Sequence, residues 1–198
     1  MKIAVAVCFA LSVFLMSAGP ARAGIKEELE EARVAFYRYE FEAALSLYLP
    51  LAQLGESEAQ EKIGEMYLYG MGIYRDCDKA QDWLGRAANQ KNPRAAWLLG
   101  RVYDDGKCVN KNNLRAYMWY SVAADMVPRP APPKPEEGYV VDFYPLPAFS
   151  GNKDDAANKA LLRTIEIDRK VLGEVMTHDQ IAEAAQLAKD WKPQTNRN

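Results

Sequence analysis

The sequence predicts an all-α protein, a right-handed α/α solenoid of helix-turn-helix repeats with C-terminal capping helices. Three observations predict it. Ala44, Ala80 and Ala116 lie 36 residues apart, and Leu47, Trp83, Trp119 and Ala52, Ala88, Ala124 keep the same step. A fixed period of this length marks a stacked repeat. Within each unit the shared positions fall at three- and four-residue steps on either side of a glycine-bearing loop, the pattern of two short helices. Finally, one such pair cannot bury its apolar face alone, whereas a stack of pairs can.

Taken in order, the chain opens with Lys2, an apolar run from Ile3 to Met16, and Ala21-Arg22-Ala23 before Gly24. This is the pattern of a secretory signal at residues 1–23, cleaved after Ala23. The run is shorter than the roughly 17 to 25 residues that span a bilayer, so no membrane span is expected after cleavage. Cleavage removes Lys2 and Arg22 from 25 basic residues against 27 acidic ones, taking the net charge from −2 to about −4. Nucleic acid is thereby disfavoured as a partner, because its phosphates call for clustered Lys and Arg. The expected location is the periplasm or the exterior of the cell.

Residues 24–126 read as about three helix pairs. Between the second and third units the match extends to Ala59 and Ala95, Ile63 and Leu99, Gly64 and Gly100, Tyr67 and Tyr103, and Gly70 and Gly106. Gly64 and Gly100 let the paired helix approach closely, and Trp83, Trp119, Tyr67 and Tyr103 fill the space between layers. Ser57-Glu58-Ala59-Gln60 reads as a capping box, and Asn92-Pro93 as a cap followed by an N1 proline.

Residues 127–152 break the pattern. They hold seven of the chain's eleven prolines, with Tyr139, Phe143, Tyr144 and Phe149 among them. Such a stretch is not helical. It either docks across the solenoid, serves as an exposed ligand, or is a disordered linker. Residues 153–192 return to helix, the last one opened by Thr177-His178-Asp179-Gln180 and striped by Ile181, Ala184, Ala185, Leu187, Ala188 and Trp191. The tail, 193–198, is expected to fray.

The segments AQEKIGEMYLYGMGIYRDCDKAQDWLGRAA (59–88) and AAWLLGRVYDDGKCVNKNNLRAYMWYSVAA (95–124) resemble Sel-1-like repeats, longer relatives of tetratricopeptide repeats. The stretch from 36 to 60 is similar to a degenerate first unit, and 176–191 to a closing helix. The resemblance implies a solenoid used for protein–protein contact. One departure is Lys107-Cys108, where the family shows Gly-x-Gly-Val, which puts that loop's backbone geometry in question.

By tetratricopeptide-like geometry, first-helix residues not needed for packing line the concave surface. These are Arg33, Phe36 and Tyr37, then Glu61, Glu65 and Tyr69, then Arg94, Trp97 and Arg101. Mixed charge with interleaved aromatics suits an extended protein or peptide partner, although any of these aromatics, Phe36 and Trp97 above all, is equally at home in the core. Stacked repeats set neighbouring loops about 10 Å apart, within reach of a Cys77–Cys108 disulfide. Free thiols are the alternative. No metal and no cofactor is expected, since His178 is the single histidine and fits a helix cap. Glu58, Glu61 and Glu65 share a helical face. Paired carboxylates can serve glycoside hydrolysis, but a solvated face accounts for them as well. No nucleophile with a matching base is visible, so the chain reads as a non-enzyme. An envelope hydrolase of β-lactamase-like type, or a structural part of an envelope complex, is the alternative that the resemblance leaves open.

Overall fold

The computed structural model describes residues 19–128 and 153–194, with side chains over 24–128 and 156–194. Among the described residues all regular structure is helical: α1 (Gly19–Tyr37), α2 (Phe41–Gln53), α3 (Ser57–Tyr69), α4 (Cys77–Asn89), α5 (Pro93–Asp105), α6 (Asn113–Met126), α7 (Lys153–Gly173) and α8 (His178–Asp190). The apolar run at the start of the chain and the proline-rich stretch from 129 lie outside the described residues.

Helices α1/α2, α3/α4 and α5/α6 form three stacked pairs, each packing on the next through its second helix. The 36-residue step is visible in the packing: Ala44, Ala80 and Ala116 are fully buried, and so are Tyr48, Leu84 and Tyr120, which keep the same spacing. Those three large side chains, not the tryptophans, fill the centre of each layer. Trp83, Trp119, Tyr67 and Tyr103 are half-buried at its flank.

Close approach explains the two glycines. A Cβ on Gly64 would lie 2.6 Å from Leu84 Cγ, and one on Gly100 2.5 Å from the Tyr120 ring, so any larger residue must displace the facing side chain or the paired helix. Helices α3 and α5 both end on a left-handed glycine, Gly70 (φ 72°) and Gly106 (φ 64°), the C-cap arrangement that glycine adopts without steric cost.

Helix starts follow the expected chemistry with one correction. Asn92 and Asn112 accept from the N3 amides of Ala95 and Arg115, at 3.0 and 2.9 Å. Thr177 and Gln180 form a reciprocal capping box. Ser57, however, is the first helical residue of α3 rather than its cap. The cap position belongs to Glu56, whose side chain makes no capping bond.

The two later pairs are joined by seven-residue loops, 70–76 and 106–112, but α1 and α2 by only 38–40. The first layer is thus a shorter hairpin whose α1 runs on through Tyr37. At the other end α6 packs against both α7 and α8, which close the stack. Ile165, Leu172, Ala184 and Ala188 are the buried residues of that cap, and Trp191 meets Trp119 edge to face at 5.6 Å. Val127 is 3 % exposed and belongs to the core, not to the proline-rich stretch. The tail does not fray at once: the Gln194 amide donates to Asn89 on α4 at 3.0 Å.

Candidate functional site

The first helices of the three layers bring the nine predicted surface residues into one row, but with unequal availability. Glu61 and Glu65 are 5 % and 7 % exposed, so the expectation of a solvated acidic face is incorrect. Between them sits Lys62, 4 % exposed, its ammonium 3.3 Å from Glu61 and 3.0 Å from Glu65. Arg94, from the next layer, reaches Glu61 at 2.9 Å and Glu65 at 2.7 Å. Two carboxylates and two cations thus neutralise each other across the α3/α5 junction, where burying any one alone is costly. Neither carboxylate is left free as a general acid or base for glycoside chemistry.

Burial pushes the Glu61 carboxyl above its ordinary value, with Lys62 and Arg94 pulling the other way. The Lys62 ammonium also lies 4.6 Å from the Phe36 ring centre, a cation–π contact. Lys62 was not anticipated as part of the site. Its signal is the repeat itself: 36 residues on stands Leu98, fully buried, so a lysine at 62 is a charged residue at a core position.

Arg33 bridges to Glu58 on α3 and to Glu30 at 2.8 Å. Phe36 packs edge to face on Phe41 and Tyr48, so it is largely structural. Tyr37 is 70 % exposed and Tyr69 42 %. Trp97 is half-buried, and its indole donates to Asp168 on α7 at 2.8 Å, while Arg94 and Arg101 lie over its ring at 5.9 and 5.7 Å. Trp97 is therefore held by the cap and offers only part of its ring.

Tyr69 and Arg101 share a cleft of about 200 Å³ with Leu68, Arg75, Val102, Asp105, Lys107 and Cys108. It opens where α3 and α5 end. Cys108 is bonded to Cys77, the first residue of α4, with Cα atoms 5.3 Å apart. This bond has a counterpart one layer earlier. Gly72 (φ 65°) approaches Phe41, the first residue of α2, so closely that a Cβ would lie 2.7 Å from the Phe41 backbone. Residues 41 and 72 are 36 residues before 77 and 108. A loop-to-helix contact made by glycine in one layer becomes a covalent bond in the next, and this answers the loop question raised by Lys107-Cys108: the left-handed turn is kept at Gly106 but not at Cys108.

Among the described residues no group of three His, Cys, Asp or Glu side chains is placed to hold a metal, and no helix is long and apolar enough to cross a membrane.

Comparison with known proteins agrees with this architecture. The Sel1 repeat family model matches residues 57–92 and 93–127, which are the α3/α4 and α5/α6 layers. The chain is 35 % identical over 79 residues to a chitin synthase regulator of Saccharomyces cerevisiae, covering 39 % of this chain and 11 % of that protein. It is 41 % identical over 56 residues to an ERAD-associated E3 ubiquitin-protein ligase component of Arabidopsis thaliana, covering 28 % and 8 %. The chain thus spans about a tenth of the length of these curated relatives. Among solved structures, a protective antigen of uropathogenic Escherichia coli with an SLR fold superposes with a TM-score of 0.58 at 22 % identity, covering 86 % of this chain and 30 % of that one, a likeness of fold.

Proposed function

We propose that this chain, which carries two tandem Sel1 repeats at 57–92 and 93–127, is a member of the Sel1-like repeat family and binds a protein or peptide along the row of first helices. The observation that carries this is the pair of tyrosines, Tyr37 and Tyr69, exposed beside a buried, internally neutralised ion cluster. Rigid aromatic side chains give contact area at little entropic cost.

A full-length protein applied to an array of immobilised decapeptides tests the reading, beside a variant carrying Tyr37→Ala and Tyr69→Ala. Both sites are exposed, so the variant keeps its fold. Peptides held by the parent and released by the variant support the site. No bound peptide, or binding indifferent to the substitutions, removes it.

We also propose that the chain acts in the periplasm or outside the cell. Residues 1–23 support this by their sequence pattern, and the Cys77–Cys108 bond by its need for an oxidising compartment. Mass spectrometry of the periplasmic and extracellular fractions should find a product beginning at Gly24. Full-length chain confined to the cytoplasm is the opposite result.

A further inference from the structure

We infer that the cleft between the ends of α3 and α5 is the anchoring point for an acidic peptide, recognising a side-chain or terminal carboxylate; this rests on the concave-face reading above and names its ligand class. Three cations, Arg75, Arg101 and Lys107, line the cleft against a single carboxylate, Asp105. The excess stands out in a chain whose net charge is −2. Elsewhere on this face the charges are matched: Arg33 with Glu58, and Lys62 and Arg94 with Glu61 and Glu65. Here they are not. Arg101 reaches Asp105 only at 3.4 Å, and among the described residues Arg75 and Lys107 have no ion-pair partner.

Arginine forks and a lysine ammonium converging on one concavity suit a carboxylate, which accepts two parallel N–H bonds. The helix ends narrow the choice further. Both α3 and α5 present their carbonyl ends at the cleft, and those ends carry partial negative charge. A purely accepting, doubly charged anion meets repulsion there. A peptide brings carboxylate oxygens for the cations and amide N–H groups for the carbonyls. Tyr69, on the rim, offers an aromatic face to its neighbouring residue. The disulfide at Cys108 holds the loop that carries Lys107 against α4 and fixes the wall of the cleft.

The decapeptide array again serves, with each Asp- or Glu-containing peptide printed beside its Asn or Gln counterpart. The full-length protein is compared with two variants, R75Q/R101Q and R75Q/K107Q. The second changes only exposed side chains and keeps the test alive should loss of Arg101 disturb Trp97. The parent should hold the acidic member of a pair about tenfold or more tightly than its amide twin. Each variant should erase that preference, and added salt should weaken it. Peptides bound without acid preference, or with one that survives both variants, overturn this assignment and leave the peptide-binding surface standing. Displacement of acidic peptides by millimolar inorganic phosphate would make the cleft a general anion site and overturn it too. An array with no bound peptide fails both readings.

Discussion

At the scale of single residues, the buried charges are where this chain departs most from an ordinary repeat. Glu61 is desolvated, and burial raises its pKa above the ordinary carboxylate value of 4.5 despite Lys62 and Arg94, with Glu65 adding to the rise. A carboxyl that holds its proton more tightly folded than unfolded contributes most stability below pH 4.5, and that contribution is lost as the pH rises through the folded value. The unfolding free energy of the parent relative to Glu61→Gln should therefore fall as pH is raised from about 4, in urea titrations across the acid range. A difference that grows with pH contradicts the assignment. The glycines make a sharper pair. Gly100→Ala drives a methyl into the Tyr120 ring and should cost about 1–3 kcal/mol. Gly85→Ala meets nothing within 4 Å in mid-helix and should gain about 0.5–1 kcal/mol in the same thermal or urea measurement. The close-approach glycines were legible because their period is the repeat's own. The fate of Glu61 and Glu65 was not, because a run of Glu at helical spacing looks the same in solvent as in a neutralised interior. Only Lys62, set against Leu98 one period later, carries the hint.

At the scale of elements, the repeat period places five of the six solenoid helices, α2 to α6, Asn92-Pro93 marks the start of α5, and the Thr177 capping box marks that of α8. The period misplaces what depends on loop length. The first layer has a three-residue connection instead of seven, so α1 extends to Tyr37 and its residues do not keep the 36-residue step. Ser57 failed as a cap because the turn from α2 ends at Glu56, one residue earlier than the Ser-x-x-Gln pattern suggests. The equivalence of Gly72–Phe41 with Cys108–Cys77 was likewise written in the spacing, since both pairs are separated by 31 residues. Replacing Cys77 and Cys108 by Ser should lower stability by about 3–4 kcal/mol, the loop-closure entropy for a ring of this size. Hydrogen exchange should place the loosening at 106–112 and the start of α4. Unchanged stability after reduction would mean that the layers are already held by packing alone. The cap obeys the same logic. Trp97→Phe removes the hydrogen bond to Asp168 and should cost about 1.5–3 kcal/mol, with faster exchange in α7.

At the scale of the whole molecule, stability is distributed along one axis. Two buried clusters share the chain, one from Ala32 to Met66 and one from Leu68 to Ala188, with Tyr67 touching both. In a stack where each layer touches only its neighbours, such clusters open separately when the junction between them is weaker than their interiors. The second cluster has the disulfide within it and α7 and α8 over its end. The first is joined onward by the close seat of Gly72 on Phe41, and it leaves Val34 and Tyr37 exposed on α1. Native-state hydrogen exchange in low denaturant should show α1 and α2 opening at a smaller free energy than α5 and α6. Reductant should narrow that gap by weakening the second cluster alone. If all six helices exchange through one opening and respond together to reductant, the stack is a single cooperative unit. The exposed Tyr37 and the cleft at Arg101 would then be rigidly coupled. Separate openings instead mean that a peptide spanning both clusters must hold them in register, so its binding should raise the protection of α1 and α2 more than that of α5 and α6.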